Sequence, residues 1–148
     1  MEEKKEENTN DDVAKLKDQL MRLAAEFDNY KKQVQKDFNN AKQLGTIETI
    51  SKLLNILDEL ELALTTLEKN SENAKGVGLV LSNFIEVLKG MGLREVPTNG
   101  KYDPYKHEVI LAIESDKDDG TIIDVVRKGY MLNDILIRPA SVVVSKKR

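Results

Sequence analysis

VAKLKDQLMRLAAEFDNYKKQVQKDFNNAKQL, residues 13–44, decides the fold. Its apolar residues Val13, Leu16, Leu20, Leu23, Phe27, Tyr30, Val34, Ala41 and Leu44 fall at alternating steps of three and four. One step is broken, at Asp37, with Phe38 beside it. Neither Gly nor Pro interrupts the run before Gly45. This spacing puts the apolar side chains on one narrow helical face, the seam of a coiled coil. A helix over 11–44 would be roughly 50 Å long at about 1.5 Å per residue. So long a stripe cannot be buried by its own chain, and the simplest partner is a second copy.

Working outward, residues 1–11 are charged and polar without apolar periodicity, and are expected to form a disordered acidic tail. They hold no apolar core of a secretory signal and lack the Arg-rich, acid-poor character of a transit peptide. Residues 12–45 are expected to be the long dimerisation helix. Gly45 then allows a break. Residues 46–91 contain a second apolar helix, IETISKLLNILDELELALTTLEK, with Ile50, Leu53, Leu54, Leu57, Leu60, Leu64 and Leu67 as its main stripe. NSEN, 70–73, marks a turn, and a third helix over about 74–90 is apolar on more than one face. Helices joined by a tight polar turn form an antiparallel hairpin, and two hairpins make a four-helix bundle in a dimer. The expected dimer interface is Leu16, Leu20, Leu23, Phe27, Tyr30 and Val34 on the seam, with Leu53, Leu57, Leu60 and Leu64 in the bundle.

At KGMGLREVP the period changes. HEVILAIES, TIIDVVRKGYML and DILIRPASVVVSKK are rich in Val and Ile and bounded by Gly, Asp and Pro, as short strands are. DKDDG, 116–120, has the look of a hairpin loop. Residues 92–148 are thus a small antiparallel β-domain that leans on the helices or on a partner for stability. The fold class is α+β.

Composition narrows the function. Net charge is −3 over 148 residues, so nothing marks the whole chain as a nucleic-acid binder. Cysteine is absent, which excludes disulfides and thiolate metal sites and fits a reducing, cytoplasmic setting. No apolar run approaches the about 20 residues that span a bilayer, so no membrane partner is expected. No phosphate-cradling G-x-x-x-x-G-K-[ST] is present, and GVGLVL lies in a helical pattern without a third glycine. The one chemical-looking stretch is YDPYKHEVI, 102–110, with the sole histidine, His107, between Asp103 and Glu108. The zinc motif H-E-x-x-H would need a second histidine where Leu111 stands. Asp103 suits an N-cap and Pro104 a first helical position, so Asp103 and His107 are expected to bracket one structural turn. No catalytic, metal or cofactor site is expected.

Five stretches, in order, resemble the GrpE family. RLAAEFDNYKK (22–32) is similar to its R-x-x-A-E-F-x-N-Y-[RK]-[RK] signature, and LLNILDELELAL (53–64) to L-L-P-V-[LI]-D-x-L-E-R-A-L. KGVGLVL sits where the family has E-G-[VI]-E, and GKYDPYKHEVI resembles G-x-x-[FY]-D-P-x-x-H-E-A. GYMLNDILIRPASVVVS (129–145) resembles G-Y-x-L-x-x-R-x-L-R-P-A-x-V-x-V-S. The resemblance implies a homodimer with paired long helices, a four-helix bundle and one β-wing per protomer. It implies a nucleotide exchange factor that is not an enzyme: it docks on the ATPase domain of a DnaK-type heat-shock chaperone, holds the nucleotide cleft open and releases ADP.

Carried over position by position, the resemblance implies chaperone contacts at Lys31, Lys32, Gly76, Pro104, Val126, Ile135 and Val144. Lys75 and Gly78 replace two acids that usually flank Gly76, and Ile135 replaces a common Arg. Asn55 replaces a usual Pro, so a straighter helix is expected there. Two other functions compete: a dimeric coiled-coil adaptor without exchange activity, and an enzyme using Asp103 and His107.

Overall fold

A computed structural model of the chain describes residues 2–69 and 71–147, with side chains from residue 9 onward. The chain divides into two compact units, one up to Thr46 and one from Ile47.

The described residues of the first unit are helix alone, part of α1 (Glu2–Thr66). Two expectations are corrected here. Helix begins at Glu2, inside the expected tail; the side chains up to residue 8 and Met1 lie outside the described residues. Glu and Lys are good helix formers, and extending an existing helix adds one hydrogen bond per residue without a new nucleus. An apolar face is therefore not required for helix to continue. The break at Gly45 is likewise absent. Gly in a helix interior costs about 1 kcal/mol relative to Ala, too little to stop a helix that is favourable on both sides. The surface of this unit carries ion pairs Asp11–Lys15 and Asp18–Arg22 at i,i+4, acid first, the orientation that suits the helix dipole.

Among its described residues the second unit holds the end of α1, then α2 (Glu72–Gly90) and six strands. Ser71 caps α2: its hydroxyl accepts the Ala74 N–H at 3.1 Å. Asn70, in the turn expected at 70–73, lies outside the described residues. Strands β1 (Leu93–Glu95), β4 (Tyr130–Leu132) and β5 (Ile135–Arg138) form one sheet in the order β1-β4-β5. Strands β2 (His107–Ser115), β3 (Ile122–Arg127) and β6 (Ala140–Lys147) form another, in the order β2-β6-β3.

Side-chain alternation stacks these elements. On β4, Tyr130 and Leu132 face the helices and Met131 faces the second sheet. On β5, Ile137 and Leu136 divide the same way. One core therefore joins Ile50, Leu54 and Leu57 of α1 and Leu81 and Leu88 of α2 to the first sheet. A second core, of Val96, Ile122, Ala140, Val142 and Val144, lies between the sheets. This is how a small β-domain gains enough buried area: its first sheet is covered on both faces.

The wing is not wholly antiparallel. β6 enters between β2 and β3, parallel to the first and antiparallel to the second. Strands β2 and β3 are not neighbours, so DKDDG is no hairpin loop. Period-two patterns give a strand its faces but not its neighbours, and the last strand to arrive in sequence takes the central place. Gly129 makes that arrangement possible. A Cβ there would run into the backbone of Pro139 and Ala140 where β6 begins.

Candidate functional site

Lys31 and Lys32 lie on α1 in the first unit. Both reach back to one carboxylate, Asp28, with Lys31 Nζ at 3.4 Å and Lys32 Nζ at 3.0 Å. Lys31 also sits 5.3 Å from the Phe27 ring centroid, a cation–π distance. All three side chains are more than half exposed, so these contacts contribute little stability. They do hold two ammonium groups together on the surface beside an exposed aromatic ring. The seam residues Leu16, Leu20, Leu23, Phe27, Tyr30 and Val34 are exposed within the protomer as well.

The remaining expected contacts belong to the second unit. Pro104 is exposed at the start of a single turn. The His107 N–H donates to the Asp103 carbonyl at 2.8 Å, and the Asp103 carboxylate accepts the Tyr105 N–H at 2.9 Å. The His107 ring, itself buried, fixes the turn from the other side. Its Nδ1 accepts the Asp103 N–H at 2.8 Å, and its Nε2 lies 2.6 Å from the Pro97 carbonyl. Pro97 offers only an acceptor, so the proton sits on Nε2 and the lone pair on Nδ1. Both ring nitrogens are occupied by backbone, which leaves neither for a metal or a proton relay. Among the described residues no cluster of three His, Asp or Glu could hold a metal ion.

Val126 is exposed on β3, directly before Arg127 and Lys128, which bind α1. The Asp58 carboxylate accepts two bonds from the Arg138 guanidinium, from Nη1 at 2.7 Å and Nη2 at 2.5 Å. Arg127 Nε donates to Asp58 at 3.2 Å, and its Nη2 donates to the Asn55 side-chain oxygen at 2.7 Å. Lys128 Nζ meets Glu61 at 2.8 Å. The hydrogen bond to Glu61 raises the Lys128 pKa above its ordinary value. Asn55, Asp58 and Glu61 are three residues apart, so they share one face of α1 and meet three cations of the wing. An open groove of about 480 Å³ lies here, with Leu62 and Thr65 on one wall and Val125 and Val126 on the other.

Gly76 is exposed on α2, and a Cβ there would meet nothing within 4 Å. Ile135 opens β5 and is 40% exposed. Two sets of residues are elsewhere than expected. Val144 sits in the core between the sheets, on the central strand, and offers no side-chain surface to a partner. Leu57 is fully buried within the protomer, and Leu60 and Leu64 pack on the same core. Their stripe faces α2 and the wing. Leu53 is half-buried, while Ile56 and Leu62 of α1 and Leu79, Val80 and Val87 of α2 point outward.

The helix–wing clasp was not foreseen. Asp58 and Arg138 both stand in motifs quoted above, but the sequence does not say that they bind each other across 80 positions. Asn55 gains a role that Pro could not fill, because it accepts the Arg127 guanidinium. Only Asp28 had a readable signal, its i,i+4 spacing to Lys32.

No helix among the described residues is long and apolar enough to cross a membrane. The sequence model of the GrpE family matches residues 1–146. The chain is 35% identical over 135 residues to "Protein GrpE" of Helicobacter hepaticus, covering 88% of this chain and 73% of that one. It is 33% identical over 135 residues to "Protein GrpE" of Thermus thermophilus, covering 90% and 75%. "Protein GrpE" of Azoarcus sp. is 36% identical over 133 residues, covering 88% and 71%. A match over nearly the whole length, on a chain whose long helix carries the Phe27–Lys32 signature and whose wing is clasped by Asp58 and Arg138, places this protein in the GrpE family.

Proposed function

We propose that this protein is a co-chaperone: a homodimeric nucleotide exchange factor that binds the ATPase domain of a DnaK-type chaperone and releases its ADP. Family membership carries the reading. It is supported by the exposure of Lys31, Lys32, Gly76, Pro104, Val126 and Ile135. The protein works by binding the open-cleft state of the chaperone more tightly than the closed one, so docking shifts that equilibrium and nucleotide leaves. The dimer pairs the seam from Leu16 to Val34, and the outward Ile56, Leu79, Val80 and Val87 join the hairpins of two protomers. Val144, Leu57, Leu60 and Leu64 act from within each protomer.

The test is release of fluorescent ADP from the cognate chaperone. Added protein accelerates it, and Lys31→Glu/Lys32→Glu reverses two charges at the contact and removes most of the acceleration. No acceleration by the unaltered protein refutes the reading. Chaperone binding without acceleration favours an adaptor instead, the reading to which the altered Lys75, Gly78 and Ile135 lend weight. Leu20→Lys/Leu23→Lys buries charge in the seam and weakens the dimer in sedimentation.

A further inference from the structure

Leu62 stands four residues after Asp58, one turn further along the same face of α1. Six residues separate it from Ile56, which puts the two about 120° apart around the helix axis. Leu62 therefore looks toward β3 and not along the hairpin surface that carries Ile56. Its side chain is 66% exposed, and that of Val126 across the groove is 61% exposed. Half-buried Val125 completes the apolar lining. The polar groups of the groove are satisfied among themselves. Arg127 is bonded to Asp58, Lys128 to Glu61, and the Thr65 hydroxyl donates to the Leu62 carbonyl at 2.6 Å. What stays open is apolar surface ringed by paired polar groups, the form in which interfaces seat an anchoring side chain.

Two departures from the family pattern point the same way. L-L-P-V-[LI]-D-x-L-E-R-A-L has Arg where this chain has Leu62, and the R-x-L-R-P of the last motif has Arg where it has Ile135. Both replacements are exposed, so neither adds to a core. Arginine at a contact calls for a carboxylate or another acceptor opposite it. Leucine and isoleucine offer no donor, and a carboxylate set against them would lose water without gaining a bond. Val126 and Ile135 already belong to the contact set proposed above, so the groove is continuous with that surface. Its occupant is therefore the chaperone, presenting apolar side chains where the family pattern calls for acceptors.

We infer that Leu62 and Ile135 set partner specificity: the groove between Leu62 and Val126 seats an aliphatic or aromatic side chain of the chaperone's ATPase domain, and the surface discriminates against chaperones that present a carboxylate there. The inference rests on the exchange-factor reading and adds to it the chemistry of the partner. The experiment uses the full-length protein, its cognate chaperone, and a second DnaK-type chaperone whose own exchange factor has Arg at both positions. Leu62→Arg raises the concentration needed for half-maximal ADP release from the cognate chaperone roughly tenfold, the loss of one buried leucine contact. Leu62→Met keeps an apolar chain of similar volume and stays within about twofold of the unaltered protein. Leu62→Arg/Ile135→Arg raises the concentration further for the cognate chaperone and lowers it about tenfold for the second one. Both positions are exposed, so the variants fold. Unchanged half-maximal concentrations in the double variant, or an equal loss on both chaperones, overturn the inference and leave exchange itself intact. A dimer weakened by Leu62→Arg in sedimentation would make a second protomer the occupant and also overturn it. Failure of the unaltered protein to accelerate release from its cognate chaperone is a different result, and it removes the exchange reading and this inference together.

Discussion

Replacing Asp58 with Ala removes the middle one of the three α1 acceptors, Asn55, Asp58 and Glu61, that meet cations of the wing. The carboxylate takes a two-pronged contact from Arg138 and a third bond from Arg127. Arg138 is 12% exposed and Asp58 28%, so the pair lies between the surface and interior limits. Exposed pairs contribute about 0–1 kcal/mol. Stranding one partner of a buried pair costs about 3–5 kcal/mol. Interpolating, Asp58→Ala should destabilise the second unit by about 2–3 kcal/mol, mostly by leaving the Arg138 charge without its carboxylate. For a unit of this size that is a fall of roughly 10 °C or more in melting temperature. Asp58→Asn keeps one oxygen acceptor and should lose about half as much. The assay is denaturant unfolding followed by tyrosine fluorescence, which is clean because the chain has no Trp and Tyr130 stands in the helix–wing core. A double-mutant cycle with Arg138→Met isolates the pair from the Arg138 contact with the Tyr130 ring. A coupling energy below about 0.5 kcal/mol would refute the clasp as a source of stability.

Three further outcomes are expected. Gly129→Ala should destabilise the wing by about 2 kcal/mol or more, because the added Cβ meets backbone at Pro139–Ala140 and not a movable side chain; hydrogen exchange on β4 and β6 would report it. His107→Ala should cost about 1–3 kcal/mol by leaving the Asp103 N–H and Pro97 carbonyl without partners, and a wing that melts unchanged would dismiss the ring as the brace of that turn. Alkaline pH should weaken the helix–wing contact. Folding raises the Lys128 pKa through its bond to Glu61, and raises that of Tyr130 first through burial and then through the charges of Glu61 and Glu95. Groups raised on folding give stability that is complete below their ordinary values, 10.5 and 10.0, and lost as pH climbs through the folded ones. Melting temperature should therefore fall more steeply above pH 10 in the unaltered protein than in Tyr130→Phe/Lys128→Met.

The sequence by itself determined the long helix, the switch from helix to strand near Gly90 and the turn at Asp103. Each follows from local periodicity or local chemistry. Repeats of three and four, runs rich in Val and Ile bounded by Gly, Asp and Pro, and an Asp-Pro pair act over a few residues, so a single pass along the chain reads them. The same locality misled at Gly45 and in the tail, where weak local signals for a stop or for disorder were outweighed by cooperative extension of helix from its neighbours. Lys31 and Lys32 were legible as part of a motif, and the carboxylate they share, Asp28, lies at a helical spacing from both.

Only the tertiary structure decided which strands are neighbours, which leucines face inward and what holds the wing to the helix. A leucine stripe looks the same whether it meets a second copy or the same chain folded back. Leu57 proved to be interior to the protomer, while Ile56 beside it faces out. Val144 reads as a strand residue from either face, and its burial depends on β6 lying between β2 and β3. The Asp58–Arg138 contact joins residues 80 positions apart, and nothing local to either names the other. Pairings of that range depend on the packing of the whole unit, which brings the two side chains together and lowers the screening between them.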